Sequence, residues 1–126
     1  MDATELNVLL VDDDIDCREF VAMALDANGI RVTQTGSAEE GLDLLTAQTF
    51  DLVLTDMNLP GMDGAEFIKH ARSKGSRIPI ILITGDSRLK TPSALSTYDA
   101  QAILVKPLDD GEALASSIRE VLAAGA

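Results

Sequence analysis

Four apolar runs in this chain each stop abruptly at a polar residue. Val8–Val11 runs into Asp12-Asp13-Asp14, Leu52–Thr55 into Asp56, Ile80–Ile83 into Thr84, and Ile103–Val105 into Lys106-Pro107. None alternates with polar positions, so each reads as a strand covered on both faces. The expected strands are Leu6–Val11, a short one at Ile30–Gln34, Asp51–Asp56, a fourth starting at Pro79, where a missing N–H is tolerated, and a fifth ending at Lys106.

Between them the apolar spacing turns helical. Ile15–Asn28 carries a stripe of Cys17, Phe20, Val21, Ala24 and Leu25, and Gly29 is its natural stop. Ser37 and Glu40 have capping-box spacing ahead of a helix with Leu42 and Leu45 on one face. Asp63 and Glu66 repeat that spacing before Phe67, Ile68 and Ala71, and Asp109 and Glu112 repeat it before Leu114, Ile118, Val121 and Leu122. Residues 85–90 show no helical stripe. Thr91-Pro92 then reads as N-cap and first helical position of a short helix, Pro92–Tyr98. Ala123–Ala126 are expected to fray.

Strands alternating with helices predict one α/β domain over residues 1–126, with a core of about 5–123, built on a parallel sheet with helices on both faces. In such sheets ligands sit beyond the carboxyl ends of the strands, where the strand order reverses. The four polar stops therefore converge on one edge.

Composition narrows the chemistry. The 126 residues carry a formal charge of −11, which leaves no cationic excess for nucleic acid. One cysteine, Cys17, and one histidine, His70, exclude an internal disulfide and a multi-cysteine or multi-histidine metal site. They read as a small core residue and a surface residue. No stretch reaches the roughly 18–20 apolar residues of a membrane span, and Met1–Glu5 lacks the basic start of a signal peptide. A cytoplasmic location is expected.

Adjacent carboxylates at Asp12 and Asp13, with Asp56 on a nearby strand, repel one another unless a cation intervenes. An oxygen-only set suits Mg2+ or Mn2+, with a main-chain oxygen near Asn58 as a further ligand. A carboxylate can also attack a phosphoryl group, a reaction that is mostly positioning and charge neutralisation. Lys106 can neutralise phosphoryl oxygens and Thr84 can donate to one. Asp14 reads as a helix cap.

Val8–Asp13, Asp51–Gly64, Ile80–Gly85 and Leu104–Pro107, in that order and spacing, resemble the receiver domains of two-component response regulators, chemotaxis regulators among them. The resemblance implies a flavodoxin-like (βα)5 fold of strand order 2-1-3-4-5. It implies phosphorylation of Asp56 by a histidine kinase or histidine phosphotransfer protein. It implies Mg2+ on Asp13, Asp56 and the Asn58 carbonyl, with Asp12 acting through water. Thr84 and Lys106 would contact the phosphoryl group, Asn58 and Asp86 would tune its hydrolysis, and the peptide before Pro107 would be cis. Such a domain catalyses only its own phosphorylation and dephosphorylation, so it is not otherwise an enzyme.

Two positions depart from the family pattern. Ile103 stands where a switch Tyr or Phe is usual, and Asp99-Ala100 stands where Gly-Ala is usual, with Tyr98 just before. The segment 85–98 is therefore expected to carry the signal as a shifting loop, with Tyr98 an ordinary boundary residue. Two other functions are weighed: a Mg2+-dependent phosphohydrolase with an aspartyl-phosphate intermediate, and a degenerate receiver that binds partners without phosphate. The first needs a general acid where Asn58 stands and a substrate cap; the second is opposed by the complete Asp13, Asp56, Thr84 and Lys106 set. No output domain is expected within the chain, and a monomer or weak homodimer acting on a downstream protein is the expected form.

Overall fold

The computed structural model describes residues 5–125. Strands and helices alternate throughout: β1 (Leu6–Val11), α1 (Ile15–Asp26), β2 (Ile30–Thr35), α2 (Ala38–Ala47), β3 (Leu52–Asp56), α3 (Gly64–Ser73), β4 (Ile80–Thr84), a 3-10 turn (Ser87–Leu89), α4 (Pro92–Tyr98), β5 (Ala102–Val105) and α5 (Gly111–Ala124). All strand pairs are parallel, in the order β2-β1-β3-β4-β5. Among the described residues no helix is long and apolar enough to cross a membrane.

The unbroken apolar runs are explained by two cores, one on each sheet face. Val8, Leu10, Leu52, Leu54, Ile81 and Ile83 pack under α1 and α5, against Val21, Leu25, Leu114 and Ile118. Leu9, Val11, Val53, Ile80, Leu82 and Ile103 pack under α2, α3 and α4, against Leu42, Phe67, Ile68 and Ala94. Successive strand residues point to opposite faces, so a strand roofed on both sides has no position for an exposed polar residue. Continuing that alternation puts Asp12, Asp56 and Lys106 in phase with the α1/α5 face and Thr84 in phase with the other.

Most helix starts follow the sequence. Asp14 caps α1, accepting from the Asp16 and Cys17 amides. Asp63 and Glu66 form a reciprocal capping box on α3, and Thr91 caps α4 with Pro92 in its first turn. Several expectations need correction. α1 ends at Asp26 rather than Asn28, and β2 runs one residue further, to Thr35. Leu52, not Asp51, opens β3, and Pro79 lies just before β4. The Ser37–Glu40 box is only half formed. Ser37 accepts from the Glu40 amide, but the Glu40 carboxylate takes the Thr35 hydroxyl at 2.6 Å instead of reaching back to Ser37. The α5 cap is Asp110, not Asp109.

Phe20 is exposed, as are Ile15 and Met23, so the buried stripe of α1 is narrower than its apolar residues suggest. α5 stays helical through Ala124, where fraying was expected. The remaining residue of that stretch, Ala126, lies outside the described residues, as do Met1–Thr4 of the N-terminal reading.

Candidate functional site

The site assembles where β1, β3 and β5 end. Asp12 is fully buried and Asp56 is 4% exposed. Each strand run delivers its last carboxylate before the chain leaves the sheet, which explains their depth. Ligand oxygens of Asp12, Asp13 and Asp56 lie within 4.8 Å of one another. Lys106 reaches in from the far side of β4, its Nζ 2.8 Å from Asp56 Oδ2 and 3.7 Å from Asp12 Oδ2. Burial alone depresses the Lys106 ammonium, but the hydrogen bond to Asp56 and the fields of Asp12 and Asp56 outweigh it and hold its pKa above the usual lysine value.

Local backbone fixes these side chains. The Asp12 amide donates to Thr35 O and its Oδ1 accepts from the Asp14 amide at 2.9 Å. Asp56 Oδ1 accepts from the Asn58 amide at 3.3 Å. The loop after β3 folds back so tightly that a Cβ on Gly64 would stand 2.3 Å from Asp56 O, while the Gly64 amide donates to Met57 O at 2.8 Å. Glycine is thus required where α3 begins, and the turn it permits shapes the Asp56–Asn58 backbone. The Lys106–Pro107 peptide is cis.

The acidic cluster fits a hard dication. Its donors are carboxylate oxygens, and Asp12 Oδ2 is buried with no hydrogen-bond partner. A buried carboxylate oxygen with no hydrogen bond is costly, Lys106 Nζ at 3.7 Å compensates it only in part, and a cation beside it would remove that cost.

Thr84 is buried, and its hydroxyl accepts from the Asp86 amide at 3.0 Å. Asp86 in turn caps the 3-10 turn and grips Arg88 through both carboxylate oxygens, at 3.0 and 2.9 Å. Those bonds hold the Asp86 carboxyl below its ordinary range. Asn58 is exposed beside the cluster. Ile103 is 4% exposed, within the core under α4. His70 is at the surface, as expected.

Three participants escaped the sequence reading. The Cys17 thiol is held in protonated form, its pKa pushed up to about 12 first by burial and then by the neighbouring Asp12 carboxylate. Arg88 neutralises Asp86. Arg18 donates from Nη1 to the Asp12 carbonyl at 2.8 Å. A cation five residues past the second aspartate, one turn into a helix that starts at the site, was the available signal for Arg18.

The model for the response regulator receiver domain matches residues 8–119. The DNA-binding transcriptional regulator NtrC of Klebsiella pneumoniae is 38% identical over 108 residues, 84% of this chain and 23% of that protein. The cell cycle transcriptional regulator CtrA of Caulobacter vibrioides is 31% identical over 110 residues, 87% of this chain and 48% of that protein. The chain therefore spans about a quarter to a half of these relatives. Among solved structures, the chemotaxis response regulator CheY4 of Vibrio cholerae superposes with a TM-score of 0.84 at 31% identity, covering 94% of this chain and 99% of that one.

Proposed function

The chain belongs to the response regulator receiver family, and on that premise we propose that it accepts a phosphoryl group on Asp56 from a histidine kinase or histidine phosphotransfer protein. The observation that carries this reading is the near-buried Asp56 carboxylate, held 2.8 Å from Lys106 Nζ and within 4.8 Å of Asp12 and Asp13.

In the transfer an Asp56 oxygen attacks the phosphorus of a phosphohistidine. The new O–P bond replaces the P–N bond, and the electron pair leaves with the imidazole nitrogen, which becomes protonated. Mg2+ or Mn2+ bound by Asp13, Asp56 and the Asn58 carbonyl, with Asp12 contacting it through water, would offset the charge of the phosphoryl oxygens. Lys106 exchanges its carboxylate contact for a phosphoryl oxygen, and the Thr84 hydroxyl donates to another. Asn58 and Asp86 flank the group and set how fast water removes it. The chain thus catalyses only its own phosphorylation and dephosphorylation. With Asn58 in place of a general acid, nothing here favours the phosphohydrolase reading.

Readout runs through residues 85–98. The Thr84 hydroxyl is already tied to the Asp86 amide and through it to Arg88, so drawing Thr84 toward a phosphoryl group pulls on the start of that segment. Ile103 is buried and has no ring to swing. Ile15, Phe20 and Met23 are exposed on the helix that begins beside the site, a surface suited to an apolar partner face. The downstream target is a protein rather than nucleic acid, the chain acts as a single receiver unit, a monomer or weak homodimer, and its setting is the cytoplasm.

Intact mass after incubation with a small phosphoramidate and Mg2+ tests the reading. One added phosphoryl group, absent with EDTA, supports it; no adduct, together with no binding of beryllofluoride, contradicts it.

A further inference from the structure

β1 pairs with β3 only as far as Val11 opposite Thr55, so the ladder on that side stops before Asp12. On the other side the Asp12 amide still bonds to Thr35 O. The Asp12 carbonyl is taken up by a side chain from α1: Arg18 Nη1 donates to it at 2.8 Å. That carbonyl belongs to the peptide joining Asp12 to Asp13. Its plane therefore sets the direction from which the Asp13 carboxylate leaves the backbone.

The guanidinium is held in a prepared place. A Cβ on Gly36 would stand 3.1 Å from Arg18 Nη1 and 4.0 Å from Asp12 O, so the bare glycine leaves the path open. Arg18 Nε is buried without a hydrogen-bond partner, a cost accepted to keep Nη1 on its target. A solvated surface arginine would show neither feature.

We propose that Arg18 is a positioning residue for the divalent-cation site: by fixing the Asp12–Asp13 peptide it presets the Asp13 carboxylate against Asp56. This rests on the cation-dependent phosphoacceptor reading above. Arg18 touches neither cation nor phosphoryl group. Groups that orient metal ligands from behind typically change affinity by about 10–100-fold when removed. The opposing possibility is electrostatic: a cation beside three carboxylates competes with the metal, and its loss tightens binding.

Calorimetric titration of the full chain with Mg2+ separates these, using the native chain, Arg18→Gln, Arg18→Lys, Gly36→Ala and Asp13→Asn. Lysine keeps the charge, but its Nζ ends short of the Nη1 position. Positioning predicts that Arg18→Gln and Arg18→Lys both bind Mg2+ about tenfold or more weakly, while circular dichroism in EDTA shows native folds. Gly36→Ala, which crowds Nη1 while leaving Arg18 in the sequence, weakens binding in the same direction and serves if an Arg18 variant does not fold. Arg18→Gln binding as tightly as the native chain or more so, with Arg18→Lys unchanged, overturns the proposal while leaving the cation site standing. If the native chain binds no Mg2+, or Asp13→Asn binds equally well, the reading beneath it fails instead.

Discussion

Lys106 and Asp56 lie fifty residues apart in sequence and meet at 2.8 Å across the end of the intervening strand β4. The pair is the main electrostatic compensation of the acidic cluster before any cation arrives. Replacing Lys106 with Met keeps the stem and removes the charge. Loss of one partner from a fully buried pair costs about 3–5 kcal/mol. The Lys106 side chain is 30% exposed, so solvent screening reduces the expected loss to about 1–2 kcal/mol. Urea unfolding in EDTA measures it, and a loss indistinguishable from zero would mean that water already screens the cluster.

Cation binding should appear as stability. Saturating Mg2+ raises the melting temperature of the native chain, by the equivalent of about 2.7 kcal/mol at a hundred times the dissociation constant. Asp13→Asn should lose most of that shift. An equal shift in both would place the cation elsewhere.

Alkaline pH should destabilise the cation-free chain. The Cys17 thiol is raised from 9.0 to about 12 in the fold, and Lys106 is raised above 10.5. A group whose folded pKa is raised contributes stability that is complete below its unfolded pKa and is lost as pH climbs through the folded value. The decline should therefore begin near pH 9 and steepen above 10.5. Cys17→Ala should flatten its first part. Iodoacetamide should label native Cys17 slowly and the urea-unfolded chain readily, since the thiolate is the nucleophile.

Arg72 ties the end of α3 to the turn before β5. It donates to Ile78 O at 2.7 Å, Asp99 O at 2.9 Å and Gln101 Oε1 at 3.1 Å, and pairs with the Asp99 carboxylate at 3.2 Å. Asp99 is left-handed, with φ 57, a conformation costing about 1–2 kcal/mol outside glycine. Arg72→Ala should cost about 2–3 kcal/mol, because several carbonyls lose a charged donor. Asp99→Gly should cost less, because relief of backbone strain offsets the lost ion pair. Denaturant midpoints test the ranking.

If residues 85–98 carry the signal, beryllofluoride with Mg2+ should shift backbone amide resonances there more than in α2 or β2. Uniform silence in that segment, with shifts elsewhere, would refute the route from Thr84 through Asp86.

Much of this was readable because unbroken apolar runs have few alternatives in a chain of this length. The strands and the carboxylates at their ends follow from that pattern, and the caps at Asp14, Asp63 and Thr91 follow from cap-forming residues placed just ahead of helical spacing. The strand order and the residue roles came by resemblance, and the sheet order bears out the former. What was misread depends on contacts no local pattern encodes. Phe20 satisfies helical spacing yet faces solvent. Glu40 had two partners within reach and took the Thr35 hydroxyl. Asp109 has capping-box spacing to Glu112, yet it is Asp110 that accepts from the Glu112 and Ala113 amides and caps α5. Arg18 and Arg72 act through long side chains whose backbone targets are set by the fold, while Arg88 pairs with Asp86 two residues before it.

On the proposed function Asp56, and no other carboxylate of the cluster, takes the phosphoryl group. Borohydride reduces an aspartyl phosphate to homoserine, which marks the acceptor permanently. Peptide mapping after phosphoramidate, Mg2+ and borohydride should find homoserine at position 56 alone, and none in Asp56→Asn. Homoserine at Asp12 or Asp13, or undiminished labelling of Asp56→Asn, would put the phosphoryl group on another carboxylate and rule out Asp56 as the acceptor.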